Sequence, residues 1–323
     1  MCCGARSATL QPVSSALQSR SPSRRSPTAA LRPRLLPQVW VQGGSFLMGD
    51  AWGEGYGTDG ELPLHRVRVD SFQMDQTPVT VQEFARFVAD ADYLTVAEHL
   101  GSSAVFHMAC AAEPEDILGF SRETPWWLTV RGANWRQPFG AAGARAGDPS
   151  SELSEHPVTH VSYRDAVAYC LWAGRRLATE AEWEFAARGG LEGARYPWGN
   201  ELMPHGETQC KIWQGTFPWN STHPHGSMAT AKVSSYPPND YGFHDMAGNV
   251  WEWCQDWFSP TFYGEPAASR ANPLGPGRGE KKVMRGGSYL CHESYCNRYR
   301  VAARSSSLPD SSSGNLGFRT VAL

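Results

Sequence analysis

The sequence predicts an irregular, loop-rich α+β fold with low regular secondary structure, on three observations. Its 32 glycines and 23 prolines among 323 residues demand many turns. Its 13 tryptophans supply large, rigid contacts that can hold such a chain together without a helical bundle. Helix-capping signals all fall before Gly190, whereas turn signals continue to the C-terminus.

Residues 1–38 stand apart as a leader. Up to Pro37 there are six arginines, many Ser and Pro, and no Asp or Glu; the first acidic residue is Asp50. Such a composition buries too little apolar surface to fold. It reads as a disordered leader or, being Arg- and Ser-rich and acid-poor, as an organellar transit segment. Residues 39–323 read as a single domain. Val39-Trp-Val41, a Gly-Gly step and Ser45-Phe-Leu-Met48 predict a strand hairpin, and His65 to Asp70 alternates with the period of a strand. Capping boxes predict three helices: Thr80 with Glu83, Ser162 with Asp165, and Thr179 with Glu182, the last closed by Gly189-Gly190. Beyond Gly190 no further helix is expected. Turns are expected at Pro197–Asn200, Pro237–Asp240, Gly286-Gly287 and Pro309-Asp310.

A net charge of −3 gives no basic field for nucleic acid, and no run of about 18 apolar residues could span a membrane. Of the eight cysteines, only Cys2/Cys3 and Cys291/Cys296 are close in sequence, without the C-x-x-C pattern of a structural zinc site. Side chains five apart diverge on a strand or a helix, so Cys291 and Cys296 meet only across a turn. Four readings stay open on spacing alone: a disulfide, two unrelated buried thiols, a redox dithiol, or a two-thiolate site for a soft metal such as Cu(I).

The surroundings of the pair narrow the choice by resemblance. The stretch from Arg285 through Cys291-His-Glu-Ser-Tyr-Cys296 to Arg304, continuing from Pro309 to Asn315 and Arg319, closely resembles the C-terminal signature of formylglycine-generating enzymes, in the sulfatase-modifying factor family. Further matches are Pro125-Trp-Trp127, Gly132 to Arg136, His156 to His160, Thr179 to Glu184, Ile212-Trp-Gln-Gly215 and Gly248 to Trp253, so the similarity covers Val39 to Phe318. The Trp-Glu-Trp and Thr-Glu-Ala-Glu-Trp-Glu pieces are shared with the wider superfamily; the C-x4-C block is the specific one. The resemblance implies a C-type-lectin-like fold. It also implies a copper-dependent oxidase that converts the cysteine of a Cys-x-Pro-x-Arg motif in an unfolded or nascent sulfatase to Cα-formylglycine with O2.

Carried over by position, Cys291 and Cys296 would hold Cu(I), and the substrate thiol would supply a further soft donor. Ser288 and Tyr295 would lie beside the metal and orient oxygen or protons, Trp251 would line the pocket, and Arg304 and Asn315 would contact substrate. The resemblance also implies two structural Ca2+ sites. Asp245, Gly248, Val250 and Glu252 match one of them, with Asp in place of the usual Asn. The other, which includes Ile212, looks broken, because Lys211 and His225 stand where Ca2+ ligands are expected, and the Lys211 ammonium is expected to replace the ion. Partner positions for disulfides found in some relatives are Val301 and Thr320 here, which points to a reducing, cytoplasmic, bacterial-type enzyme; an organelle is the alternative if residues 1–38 are a transit segment. A monomer is expected, with no nucleic-acid or membrane partner. A binding module on the same fold would lack the thiol pair, and an iron-dependent sulfoxide synthase would need a further helical domain.

Overall fold

A computed structural model describes residues 36–147, 151–222 and 229–323. Leu36 is buried, the Pro37 carbonyl accepts from the Gln76 amide, and Gln38 opens the first strand, so the folded part begins slightly before the expected boundary. The rest of the predicted leader lies outside the described residues.

Strand β1 (Gln38–Val41) does not turn back on β2 (Gly44–Met48), as the predicted hairpin required. Instead both run along the same partner segment: β2 pairs antiparallel with β3 (His65–Val69), and β1 with β4 (Phe72–Asp75), in one continuous register. The Gly-Gly step is a bend in a long ribbon, because a Cβ on Gly43 would lie 2.5 Å from the backbone of Asp70 and Ser71. The predicted strand at 65–70 alternates as expected, with His65, Val67 and Val69 buried and Arg66 and Arg68 exposed.

The helices form where their caps are written. Helix α1 (Val81–Ala91) starts at Thr80, whose side chain accepts from the Glu83 amide. The reciprocal half of that box is missing, since the Glu83 carboxylate accepts from Tyr169 and Arg86. A short helix that the sequence reading missed, α2 (Val96–Leu100), has a complete Thr95–Glu98 box. Strands β5 (Ser102–Phe106), β6 (Ile117–Phe120) and β7 (Trp127–Arg131) follow, and make a three-stranded sheet in the order β5-β7-β6. Helix α3 (Tyr163–Ala173) has a complete box from Ser162 and Asp165. It packs Tyr169 against Phe84 and Phe87 of α1. After β8 (Arg175–Leu177), helix α4 (Glu180–Arg188) is capped by Thr179 and Glu182 and ends on Gly189 in the left-handed region. No α-helix follows among the described residues, as expected.

Short strands β9 (Gly215–Thr216) and β10 (Asn220–Ser221) pair with each other. The centre of the molecule is β11 (Trp251–Trp257), which pairs antiparallel with β12 (Lys282–Arg285) and parallel with β14 (Leu316–Gly317); β13 (Arg304–Ser307) lies beyond β12. The last strand, β15 (Thr320–Ala322), inserts between β4 and β8. No helix of the described residues is long and apolar enough to cross a membrane.

Arginine–carboxylate pairs run through the interior. Arg285 bonds Glu180 and Glu184, Arg304 forks onto Glu180 at 2.7 and 2.9 Å, and Arg319 forks onto Glu252 at 2.7 Å on both arms. These bonds satisfy charges that burial alone would penalise by several kcal/mol per ion. Large buried tryptophans fill the space between them, Trp183, Trp251 and Trp253 among them.

Candidate active site

Three neighbouring strands deliver the predicted residues to one end of the central sheet. Trp251 opens β11, Asn315 immediately precedes β14, and the chain leaving β12 at Arg285 passes through Gly286 and Gly287 to Ser288. Both glycines have positive φ, 93° and 74°. A Cβ on Gly287 would sit 2.7 Å from the Arg298 carbonyl, and one on Gly286 would sit 3.1 Å from the Trp183 ring. Only glycine lets the loop 288–298 leave and return through so narrow a neck.

Within the loop, the His292 carbonyl accepts from the amides of Tyr295, Cys296 and Asn297 at 3.1, 2.8 and 3.3 Å. That single tight turn swings Cys296 over Cys291, and their sulfurs lie 2.8 Å apart. This separation exceeds the ~2.05 Å of a disulfide. Both residues are thiols outside any disulfide, with side chains shut from solvent. The Ser288 amide points at the Cys291 sulfur at 3.4 Å, and the Cys291 carbonyl accepts from Trp213 at 3.0 Å. The two sulfurs have no cluster of hard ligands around them, for no group of three His, Cys, Asp or Glu fit for a metal occurs among the described residues. Two soft donors alone suit Cu(I) better than Zn2+ or Ca2+. The His292 ring bonds the Ser294 hydroxyl through Nδ1 at 2.8 Å.

Ser288 is fully buried, and its hydroxyl accepts from the Asn315 amide at 2.9 Å. Asn315 is itself 2 % exposed, and its side-chain oxygen accepts from Ser313. Tyr295 stacks flat on Phe217 at 4.2 Å and meets Trp126 edge-on at 5.1 Å. Trp213 packs on Phe217 at 5.3 Å and on Phe106 at 5.6 Å, so the loop faces an aromatic wall. Among the described residues, the buried indole N–H groups of Trp126, Trp127, Trp213 and Trp251 find no acceptor. On the other flank is a groove of about 260 Å³, lined by Cys210, Ile212, Trp213, Gln214, His292 and Glu293. Burial pushes the Cys210 thiol well above its usual range, so it stays protonated beside this groove.

Arg304 does not stand at a surface where substrate could meet it. Its side chain is fully buried, and its guanidinium is spent on Glu180 and on the carbonyls of Gly60, Asp59 and Ser259. Sequence reasoning missed Arg298 and Arg300, which fork onto Asp59 and Glu61 and fix the loop from behind. Their partners are 239 residues away, and nothing in the local sequence signals them.

The expected calcium residues are less clearly assembled. Asp245, Gly248 and Asn249, with φ of 57°, 73° and 60°, coil one tight loop that includes Val250. The Asp245 carboxylate accepts from the amide of Ser234 and from Asn249, while Glu252 lends both oxygens to Arg319 and one also to Trp183. A cation reaching Glu252 would share it with a guanidinium. Near the other set, Lys211 and Ile212 are buried, and burial pulls the Lys211 ammonium down to about 8. His225 lies outside the described residues.

Residues 24–322 match the sulfatase-modifying factor enzyme 1-like domain. The chain is 58% identical to a formylglycine-generating enzyme of Streptomyces coelicolor over 91% of each chain. It is 49% identical to a formylglycine-generating enzyme of Thermomonospora curvata over 90% of this chain and 96% of that one. The solved structure of PvdO from Pseudomonas aeruginosa shares the fold, with a TM-score of 0.63 at 21% identity over 88% of this chain and 93% of that one. From its thiol loop to its loop-rich α+β fold, this chain belongs to the sulfatase-modifying factor family.

Proposed function

We propose that the chain is a formylglycine-generating oxidase that converts the cysteine of a Cys-x-Pro-x-Arg motif, in an unfolded or nascent sulfatase polypeptide, to Cα-formylglycine. The observation that carries the reading is the pair of reduced, buried sulfurs of Cys291 and Cys296, 2.8 Å apart at the end of the central sheet. Cu(I) held by these two thiolates would supply electron transfer to O2 and a soft anchor for the substrate thiol. The chain's own residues do the rest. Ser288, whose amide points at the Cys291 sulfur and whose hydroxyl is fixed by Asn315, is the residue assigned to pass a proton. Tyr295 and the surrounding tryptophans exclude water from the sulfurs.

Turning the cysteine thiol into an aldehyde with release of sulfide is a two-electron oxidation, whereas reducing O2 to water takes four electrons. The balance is one thiol, one O2, two electrons and two protons giving one aldehyde, one hydrogen sulfide and one water. An external two-electron reductant, such as a thiol, is therefore required. None of the six cysteines among the described residues is in a disulfide, which supports a reducing, cytoplasmic setting. A calcium ion at the Asp245 loop is a secondary part of this reading.

The test is direct. Protein loaded with Cu(I) is given a Cys-x-Pro-x-Arg peptide, air and a reducing thiol, and the product is read by mass spectrometry. Aldehyde and sulfide in equal amounts are expected; a folded, copper-loaded sample that yields neither rejects the proposal.

A further inference from the structure

Among the described residues, strand β6 is the outer strand of its sheet and pairs with β7 alone. It presents large apolar side chains to solvent: Ile117 is 36% exposed, Leu118 50% and Phe120 64%. An open edge of this kind is a template for another strand and a liability if left bare. Its position relative to the thiol loop gives it a use. The Phe120 end of β6 is bonded to the start of β7, where the Ser121 amide donates to the Trp127 carbonyl at 3.1 Å. Trp126, the preceding residue, meets the ring of Tyr295, and Tyr295 adjoins Cys296. An extended chain with its cysteine at the sulfurs and its next residues over Trp126 therefore arrives at the Phe120 end of β6.

We infer that the open edge of β6 docks the stretch of sulfatase polypeptide that follows the modified motif, as an added antiparallel strand; this rests on the function proposed above. Proline cannot donate to a strand ladder, so the Cys-x-Pro-x-Arg motif itself stays outside the pairing. Four residues at about 3.3 Å each carry the chain some 13 Å from the cysteine to the arginine. At the Phe120 end that arginine meets the exposed Glu123, next to Arg122 in the chain. Glu113 and Glu115 are exposed at the other end, just before Ile117, where Arg131 is already paired with Asp116 at 3.3 Å. The polypeptide after the arginine then runs from the Phe120 end towards Ile117, against the direction of β6. Main-chain bonds to the edge would tolerate many sequences, with the apolar ridge favouring apolar side chains at alternate positions.

The experiment uses the full chain and two peptides carrying the motif, one ending two residues after the arginine and one continuing eight. The longer peptide is expected to show kcat/KM about tenfold higher, through KM. Phe120→Lys and Leu118→Lys should remove that advantage and leave the short peptide unchanged. Hydrogen exchange at residues 117–121 should slow when the long peptide binds, and N-methylation of its flank should weaken binding only at alternate positions. Aldehyde from both peptides with equal kcat/KM and no slowing at β6 overturns the docking proposal alone. Slowing at β6 with no aldehyde from either peptide supports docking and overturns the reaction. Slowing that depends on protein concentration without peptide, and vanishes in Phe120→Lys, would assign the edge to a second copy and overturn the proposal.

Discussion

The side-chain amide of Asn315 donates to the Ser288 hydroxyl at 2.9 Å, and the Asn315 oxygen accepts from Ser313 at 2.8 Å. Asn315 thus spans from the strand entering β14 to the residue beside the thiols, and it is closed off from solvent. Its expected contact with substrate becomes a contact with Ser288. Asn315→Ala should lower kcat about tenfold or more with KM changed less than about twofold, because it releases the hydroxyl and not the peptide. A raised KM at unchanged kcat would return Asn315 to the substrate groove.

Cys291→Ala and Cys296→Ala should each abolish aldehyde formation and Cu(I) binding. Both thiols pack in the core, but each truncation removes one small group, at about 1–2 kcal/mol. The melting temperature should fall by only a few degrees. Residual turnover of either variant at more than about a hundredth of the parent rate would show that the pair is not the reactive centre.

Arg304→Met should behave as a stability variant. It strands Glu180 beside Arg285 alone in the interior and leaves the carbonyls of Gly60 and Ser259 without their donor, a cost of about 3–5 kcal/mol. Denaturant titration should show that loss, while KM for peptide stays put. A stable variant with a raised KM would restore the substrate role expected from the sequence.

His160 gives an acid limb to stability. It is wholly buried, with Nε2 2.9 Å from the Pro138 carbonyl and Nδ1 2.8 Å from Ser103 Oγ. The carbonyl can only accept, so Nε2 carries the proton and Nδ1 accepts from Ser103. Burial pulls its pKa from 6.5 to about 4. Its share of stability is intact above 6.5 and is lost as pH falls towards 4, by about 3 kcal/mol in all. His160 has φ of 58°, which asparagine tolerates. His160→Asn should therefore flatten the change in stability between pH 6.5 and 4; an unchanged slope counts against this assignment.

Metal analysis should find fewer than two Ca2+ per chain. Lys211 is buried where one ion is expected, and with its pKa near 8 it is largely charged at neutral pH. A charged ammonium offers no lone pair and repels the ion. Two tightly held Ca2+ per chain, retained through gel filtration, would refute the replacement.

Features encoded within a few residues were legible in the sequence. The caps at Thr80, Ser162 and Thr179 each start a helix, and the glycines at 286–287 mark the neck of the thiol loop. The Thr95–Glu98 box was overlooked because its five-residue helix is too short to show a period. The Gly43-Gly44 step was misread because a bend in a ribbon and a hairpin turn use the same residues; which one forms depends on β3 and β4, about 25 residues on. The thiol pair was legible by resemblance, its closure across a turn by geometry. The Arg304–Glu180, Arg300–Glu61 and Arg319–Glu252 pairs were not, since each joins residues far apart in the chain and leaves no periodic trace.

The insertion of β15 between β4 and β8 has a consequence for the order in which the protein can be made. On the ribosome, β4 and β8 emerge more than a hundred residues before the strand that joins them, and Asp59 and Glu61 wait equally long for Arg298 and Arg300. The sheet cannot close before β15 leaves the tunnel, nor the back of the thiol loop before Arg298 and Arg300 do. The local turn at His292 can bring Cys291 and Cys296 together early, but the packing that shuts them from solvent is completed only after these distant partners have emerged.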